Sequence, residues 1–214
     1  VYFGAQDGWQ HAVDDIHALH QRLQEEFPNM PLCIMGHSMG SFLTRSYLIR
    51  YPGTVRAAVI MGTGWQPAPV IAAGRTLAKL IARREGADAP NRTDFDWLSA
   101  DEGNVDRYIA DPMCGADATV GLFLDMLGGI SFNQKITNLR KMDRELPVLF
   151  VSGDKDPVGQ MGKGVQHSFE AFLAAGVKDV SIRLYPGLRH EILNETAQQE
   201  TIYKDIGDWL DTKI

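Results

Sequence analysis

Two cysteines in 214 residues, Cys33 and Cys114, exclude a disulfide-dense secreted scaffold. One lies in an apolar run and the other in a middle segment, so a reduced thiol pair is the simpler reading. Neither has a His or Cys neighbour at zinc-ligand spacing. Positive charge is also scarce. A formal net charge of -6, with no basic stripe interleaved with aromatics, argues against a nucleic-acid partner. No apolar run approaches the length of a membrane span, and there is no internal repeat or low-complexity tract. No phosphate-binding glycine loop or ligand cluster signals an organic cofactor or a metal. His11, His17 and His20 share one helical stretch with Asp14 and Asp15, but their offsets give no clean i, i+4 ligand pair; a solvated helix face is expected there.

What is present is the composition of one soluble domain, 44% apolar and 22% charged, with room for a substantial core. Residues 8–27 carry Val13, Ile16, Leu19 and Leu23 at helical spacing and end before Pro28. An apolar run at 32–35 then reads as a strand, and a second helix runs from near Met39 to about Arg50, ahead of Pro52. Residues 55–61 form the next expected strand, closed by Gly62-Thr63-Gly64-Trp65. Strands at 147–151 and 180–185 follow much later, with covering helices near 162–175 and 195–211. Strands alternating with helices imply a parallel sheet. Residues 66–145 contain no convincing core strand, so the expected organisation is a first core part at 1–65, an inserted helical cap at 66–145 and a second core part at 146–214.

The most informative motif is Gly36-His37-Ser38-Met39-Gly40, placed where the first strand meets the second helix. A serine at such a turn is a nucleophile candidate, and Gly36 and Gly40 are expected to clear space around it. A serine hydroxyl needs a base, and the base needs an acid to hold its tautomer. Asp154 and Asp156 both follow the strand at 147–151; Asp156 is favoured because a few loop residues are needed to bring a carboxylate beneath an imidazole. His190 follows the strand at 180–185 and is the candidate base. The chain order Ser38, Asp156, His190 is that of α/β-hydrolases.

The segments GHSMGS at 36–41, SGDKDPVG at 152–159 and LYPGLRHEILNE at 184–195 resemble the serine-hydrolase branch of α/β-hydrolases that contains monoacylglycerol lipases, bacterial lysophospholipases and the serine aminopeptidase group. The similarity runs along the whole chain, including Asp7-Gly8-Trp9 and Asp94-Phe95-Asp96-Trp97-Leu98. It implies an α/β-hydrolase fold, a mostly parallel sheet with flanking helices and a cap. It also implies a serine carboxylic-ester hydrolase of the lysophospholipase or monoacylglycerol lipase kind, with a small acyl ester or monoacyl lipid as substrate and no cofactor. An aminopeptidase or small-ester esterase is the alternative within the fold; an aminopeptidase would need an acidic subsite for an ammonium. A non-catalytic binding or regulatory member is the alternative from another class.

The backbone N–H of Met39, directly after the nucleophile, is the expected oxyanion donor, with a second from an upstream loop. No upstream strand pair or such loop is legible before Ser38, and the chain opens at Val1 in what reads as loop. A missing N-terminal segment, or a second chain that completes the sheet, is therefore expected. A cytoplasmic location is expected too, although a signal peptide would lie in that hidden part. Trp65, Phe123, Leu127 and Val158 are candidate substrate-lining residues; for the stripe Phe123, Met126, Leu127, Ile130, pocket lining and plain core stand as equal readings. Trp97 is expected to anchor the cap's own packing. Val70, Ala73, Leu77, Leu80 and Ile81 form an apolar stripe beside Arg75, Lys79 and Arg83. That helix suits either transient contact with a membrane surface or packing on the domain with a solvated back.

Overall fold

Four short runs rich in Ala, Val, Ile and Met pair side by side into one parallel sheet: β1 Cys33–His37, β2 Ala57–Met61, β3 Val148–Gly153 and β4 Val180–Tyr185, in that order. The computed structural model describes residues 6–73, 92–116 and 118–214. Parallel neighbours need crossover connections. Helix α2, Met39–Arg50, links β1 to β2, residues 62–147 link β2 to β3, and the helix Lys163–Ala175 links β3 to β4. His37 stands opposite Met61, Met61 opposite Val151 and Gly153 opposite Tyr185, so the C-terminal ends of all four strands form one rim.

Side chains alternate across the buried central strands. Ala58, Ile60, Val148 and Phe150 enter the larger core with Trp9 and Val13 of α1 (Gly8–Glu26), Phe42 and Tyr47 of α2, Leu127 and Ile130 of the helix Val120–Asn133, and Phe172 of Lys163–Ala175. Val59, Met61, Leu149 and Val151 meet Ile192, Ile202 and Ile206 on the opposite face, where the terminal helix Gln199–Asp211 lies. Among the described residues β1 pairs with β2 alone; its Cys33 is exposed and Met35 is 55% exposed.

Two expectations for α1 are corrected. Leu19, read as part of the apolar stripe, is 59% exposed, whereas His20, read as solvated, is 7% exposed. The helix is rotated toward α2 by its aromatics: the His17 ring stacks on Tyr51 with centroids 3.8 Å apart, and His20 lies 6.2 Å from Tyr47. Within 66–145 the described elements are helical, including Ala68–Ala73, Glu102–Ala110 and Val120–Asn133. The basic amphipathic stripe read over 70–83 lies, beyond the helix Ala68–Ala73, outside the described residues. No helix among the described residues is long and apolar enough to cross a membrane.

A buried polar chain ties the helices on the larger core together. The Trp9 indole N–H donates to Ser46 Oγ at 2.9 Å, Ser46 donates to Asn133 Oδ1 at 2.7 Å, and Asn133 Nδ2 donates to the Phe42 carbonyl at 2.8 Å. Ser46 and Asn133 are fully buried, so deleting one member strands the others away from water. Asn133→Ala is expected to lower the unfolding free energy by about 1–3 kcal/mol. A urea titration giving an unchanged midpoint and slope would show that the chain does not stabilise this packing.

Candidate active site

A sharp turn carries β1 into α2, and Ser38 sits at its apex with φ 55° and ψ -122°. A left-handed φ on a residue with a side chain costs on the order of 1–3 kcal/mol and persists only where neighbours over-determine it. Here the Ser38 N–H donates to the Met61 carbonyl at 3.1 Å, and the Ser38 carbonyl accepts from Ser41 Oγ at 2.6 Å and Ser41 N–H at 2.9 Å. Gly36 makes the turn sterically feasible: a Cβ there would stand 2.3 Å from both the Gly40 carbonyl oxygen and Thr44 Oγ1. The clearance expected of Gly40 is a different matter, because a Cβ at Gly40 would meet nothing within 4 Å among the described residues. The tight approach is made by Gly40's carbonyl, which any residue would supply.

Asp156 and His190 emerge from the loops after β3 and β4, on the same rim as Ser38. Asp156 is 0% exposed and accepts three hydrogen bonds: from His190 Nδ1–H at 2.9 Å and Ser152 Oγ at 3.2 Å on Oδ2, and from the Val158 N–H at 2.8 Å on Oδ1. A buried carboxylate is tolerated when its lone pairs are met in this way. The bond to Nδ1 puts the imidazole proton on that nitrogen and leaves Nε2 as the acceptor. His190 is 2% exposed, and its Nε2 is buried without a hydrogen-bond partner among the described residues. The Ser38 hydroxyl is therefore not bonded to it in this state; such bonds commonly tighten only when substrate is bound. Asp154, the competing carboxylate, instead accepts the Gly187 N–H at 2.8 Å and pins the loop that leads to His190.

Two neighbours of His190 were not read from the sequence as site residues. The His37 ring is 4.6 Å from it, and His37 Nε2 donates to the His190 carbonyl at 3.0 Å. Burial pushes the His37 imidazole below the ordinary histidine value, and proximity to His190 adds to the shift, so His37 stays neutral and donates. The Trp97 indole is 5.1 Å from the His190 ring, which corrects the reading of Trp97 as an anchor of the cap alone. His37 was legible as the residue before the nucleophile. Trp97 carried no local signal, since its contact spans more than ninety residues of chain. Gly62, with φ 58°, lets both histidines approach; a Cβ there would lie 3.0 Å from His190 Cε1.

Met39 opens α2, so its backbone N–H belongs to the helix's first turn, where donors lack intrahelical partners and point outward. Val158 fixes Asp156 through its N–H, and its carbonyl packs against Gly64. The Trp65 ring lies 6.4 Å from His167 and 6.0 Å from the Arg45 guanidinium, while its carbonyl accepts from Gln160 Nε2 at 2.6 Å. Leu127 is 2% exposed and packs in the larger core, with Phe123 partly buried against the same cluster; the stripe serves the core because its helix lies on α2 and α1. Of the two readings given for this stripe, Leu127 follows the core one, while Phe123 is only partly buried against the same cluster.

The sequence profile of the family described as "Serine aminopeptidase, S33" matches residues 2–197. Monoacylglycerol lipase of Mycolicibacterium smegmatis is 30% identical over 207 residues, an overlap covering 92% of this chain and 68% of that protein. Monoglyceride lipase of Mus musculus is 25% identical over 199 residues, covering 90% of this chain and 62% of that protein. The chain thus spans about two thirds of the length of these relatives. Among solved structures, a highly thermostable carboxyl esterase from Bacillus coagulans in complex with glycerol superposes with TM-score 0.82 at 23% identity, covering 94% of this chain and 71% of that one. A soluble variant of monoglyceride lipase from Saccharomyces cerevisiae in complex with a substrate analog gives TM-score 0.74 at 21% identity, covering 95% and 70%. These structures establish the α/β-hydrolase fold.

The turn geometry predicts an asymmetric response to substitution. Gly36→Ala should cost about 2 kcal/mol or more, because a Cβ would press on backbone as well as on Thr44. Gly40→Ala should cost less than about 1 kcal/mol. Thermal melts of the two variants side by side check this, and equal losses would refute the assignment of the clearance to Gly36.

Proposed function

The chain belongs to the serine aminopeptidase S33 family, and on that premise we propose that it is a serine ester hydrolase acting on monoacylglycerols through an acyl-enzyme. The observation that carries this reading is the buried His190–Asp156 pair, whose unpartnered Nε2 shares a sheet rim with a strained Ser38. Ser38 Oγ attacks the ester carbonyl while His190 Nε2 takes its proton, and Asp156 stabilises the imidazolium that forms. The carbonyl π bond opens onto oxygen, and the Met39 N–H meets the resulting oxyanion. His190 then returns the proton to the departing glycerol oxygen as the C–O bond breaks. Water, deprotonated by the same nitrogen, attacks the acyl carbon; as the second tetrahedral intermediate collapses, the C–Oγ bond breaks, His190 returns the proton to Ser38 Oγ and the fatty acid leaves.

Monoacylglycerol is favoured over other esters because relatives in two distant organisms carry that name. Lysophospholipids are the second substrate class, since they present the same monoacyl ester on a larger head group. In this reading part of the excursion between β2 and β3 shields the acyl-enzyme from bulk water, while its helix Val120–Asn133 packs with the core, and a further segment or chain beside β1 supplies the second oxyanion donor. With one donor absent the rate is expected to fall on the order of 100- to 1000-fold.

A fluorophosphonate probe should form one adduct, mapped by mass spectrometry to Ser38 and abolished in Ser38→Ala. His190→Ala should slow labelling by on the order of 1000-fold or more; because it also strands the buried Asp156 carboxylate it should lower the melting temperature, so labelling is compared at a temperature where both proteins are folded. Turnover is then compared on monoacylglycerol, lysophosphatidylcholine and an aminoacyl p-nitroanilide. Absence of any adduct in the folded protein would remove the nucleophile assignment, and preference for the anilide would move the activity to peptide-like substrates.

A further inference from the structure

Resting on the ester-hydrolase reading, the geometry points to Trp97 as a positioning residue that fixes the orientation of the His190 imidazole, held there by a strap formed by residues 96–98. One hydrogen bond from Nδ1 to Asp156 acts as a hinge: it sets the tautomer but leaves the ring free to swing about the Nδ1···Oδ2 line. Ring contacts from His37 and Trp97, at 4.6 and 5.1 Å and with similar tilts of 42° and 41°, remove that freedom. His37 is built into the nucleophile strand. Trp97 arrives from the long excursion between β2 and β3, and something must hold it.

The strap does so through bonds on either side of His190. The Asp96 carbonyl accepts from the Arg189 guanidinium, and the Leu98 carbonyl accepts the Glu191 N–H at 2.7 Å. Residues 96 and 98 thus bracket Trp97 just as 189 and 191 bracket His190. Outer ties reinforce the register: Asn104 Nδ2 donates to Glu191 Oε2 at 3.0 Å, the Ala100 N–H donates to Glu195 Oε1 at 2.8 Å, and Thr196 Oγ1 donates to Asp101. Leu98, Ser99 and Glu195 are buried, so the inner part of the strap is largely shielded from water, while the Thr196–Asp101 tie lies at the surface. Displacing the strap would release the imidazole at the same moment that it opened the site.

The test compares Trp97→Ala with the conservative Trp97→Phe in the intact protein. Trp97→Ala should lower kcat on monoacylglycerol by about tenfold or more with KM within about threefold, since misorienting a base affects the transition state more than binding. Trp97→Phe should recover most of that loss. The downfield proton resonance of His190 Nδ1–H should broaden by exchange with water in Trp97→Ala and persist in Trp97→Phe, with thermal melts confirming that both remain folded. The inference is overturned if Trp97→Ala keeps both kcat and the resonance, or if kcat falls only as far as the folded fraction does while the resonance is intact. A parent protein that hydrolyses no ester would instead defeat the functional reading, and the resonance alone would then decide whether Trp97 positions His190.

Discussion

A carboxylate with no access to water governs the architecture of this rim. Taking Asp156 out of solvent costs several kcal/mol unless donors replace its hydration, and the three that do so come from different places: Ser152 at the end of β3, Val158 in the following turn and His190 beyond β4. Satisfying one buried charge therefore fixes the relative placement of two loops. The sheet supplies the frame. The β3–β4 register sets Gly153 against Tyr185, and the Asp154–Gly187 bond carries that register into the loop before His190. The pairing of Asp156 with His190 is thus the meeting point of geometry imposed from several directions.

The proposed nucleophile is held by an independent set of constraints. Ser38 occupies its left-handed conformation because β1 pairs with β2 up to His37–Met61 while α2 begins one residue later, leaving no chain for a relaxed turn. The turn after β2 is fixed in its own way. Arg45, wholly buried, donates through Nη1 to the Gly64 carbonyl at 2.9 Å and Thr63 Oγ1 at 3.3 Å, while its Nε and Nη2 have no hydrogen-bond partner among the described residues and the guanidinium faces the Phe42 and Trp65 rings at 5.9 and 6.0 Å. Burial pushes its guanidinium down to about 9. A cation so poorly compensated is weak evidence for stability. Its bonds instead specify where Gly62–Gly64 lies, and that turn faces both histidines.

Much of this was legible because the relevant signals are local. An apolar run ending in a Gly-x-Ser-x-Gly motif reads as strand, sharp turn and helix in a dozen residues, and the strands before Asp156 and His190 are equally compact. The choice of Asp156 over Asp154 followed from loop reach. What failed needed tertiary partners. The α1 stripe was drawn through Leu19 when stacking of His17 on Tyr51 turns His20 inward instead. Phe123 and Leu127 show the periodicity of a helix with one apolar side, but periodicity cannot say whether that side meets a ligand or α2. Gly40 matched a motif, yet the motif does not reveal which atom of each glycine makes the close approach.

Trp97 marks the limit of local reading most sharply, and it changes how the excursion between β2 and β3 is understood. An insertion that merely covered a rim would contact it through side chains at its edge. Here backbone carbonyls of residues 96 and 98 are hydrogen-bonded to the residues flanking His190, and buried polar ties extend to Glu195. Such a segment cannot shift as a rigid cover without breaking bonds that also define the His190 loop. The 96–98 strap is therefore part of the floor beside His190. The stretch against His190 thus belongs structurally with the sheet core and not with the cap expected over 66–145.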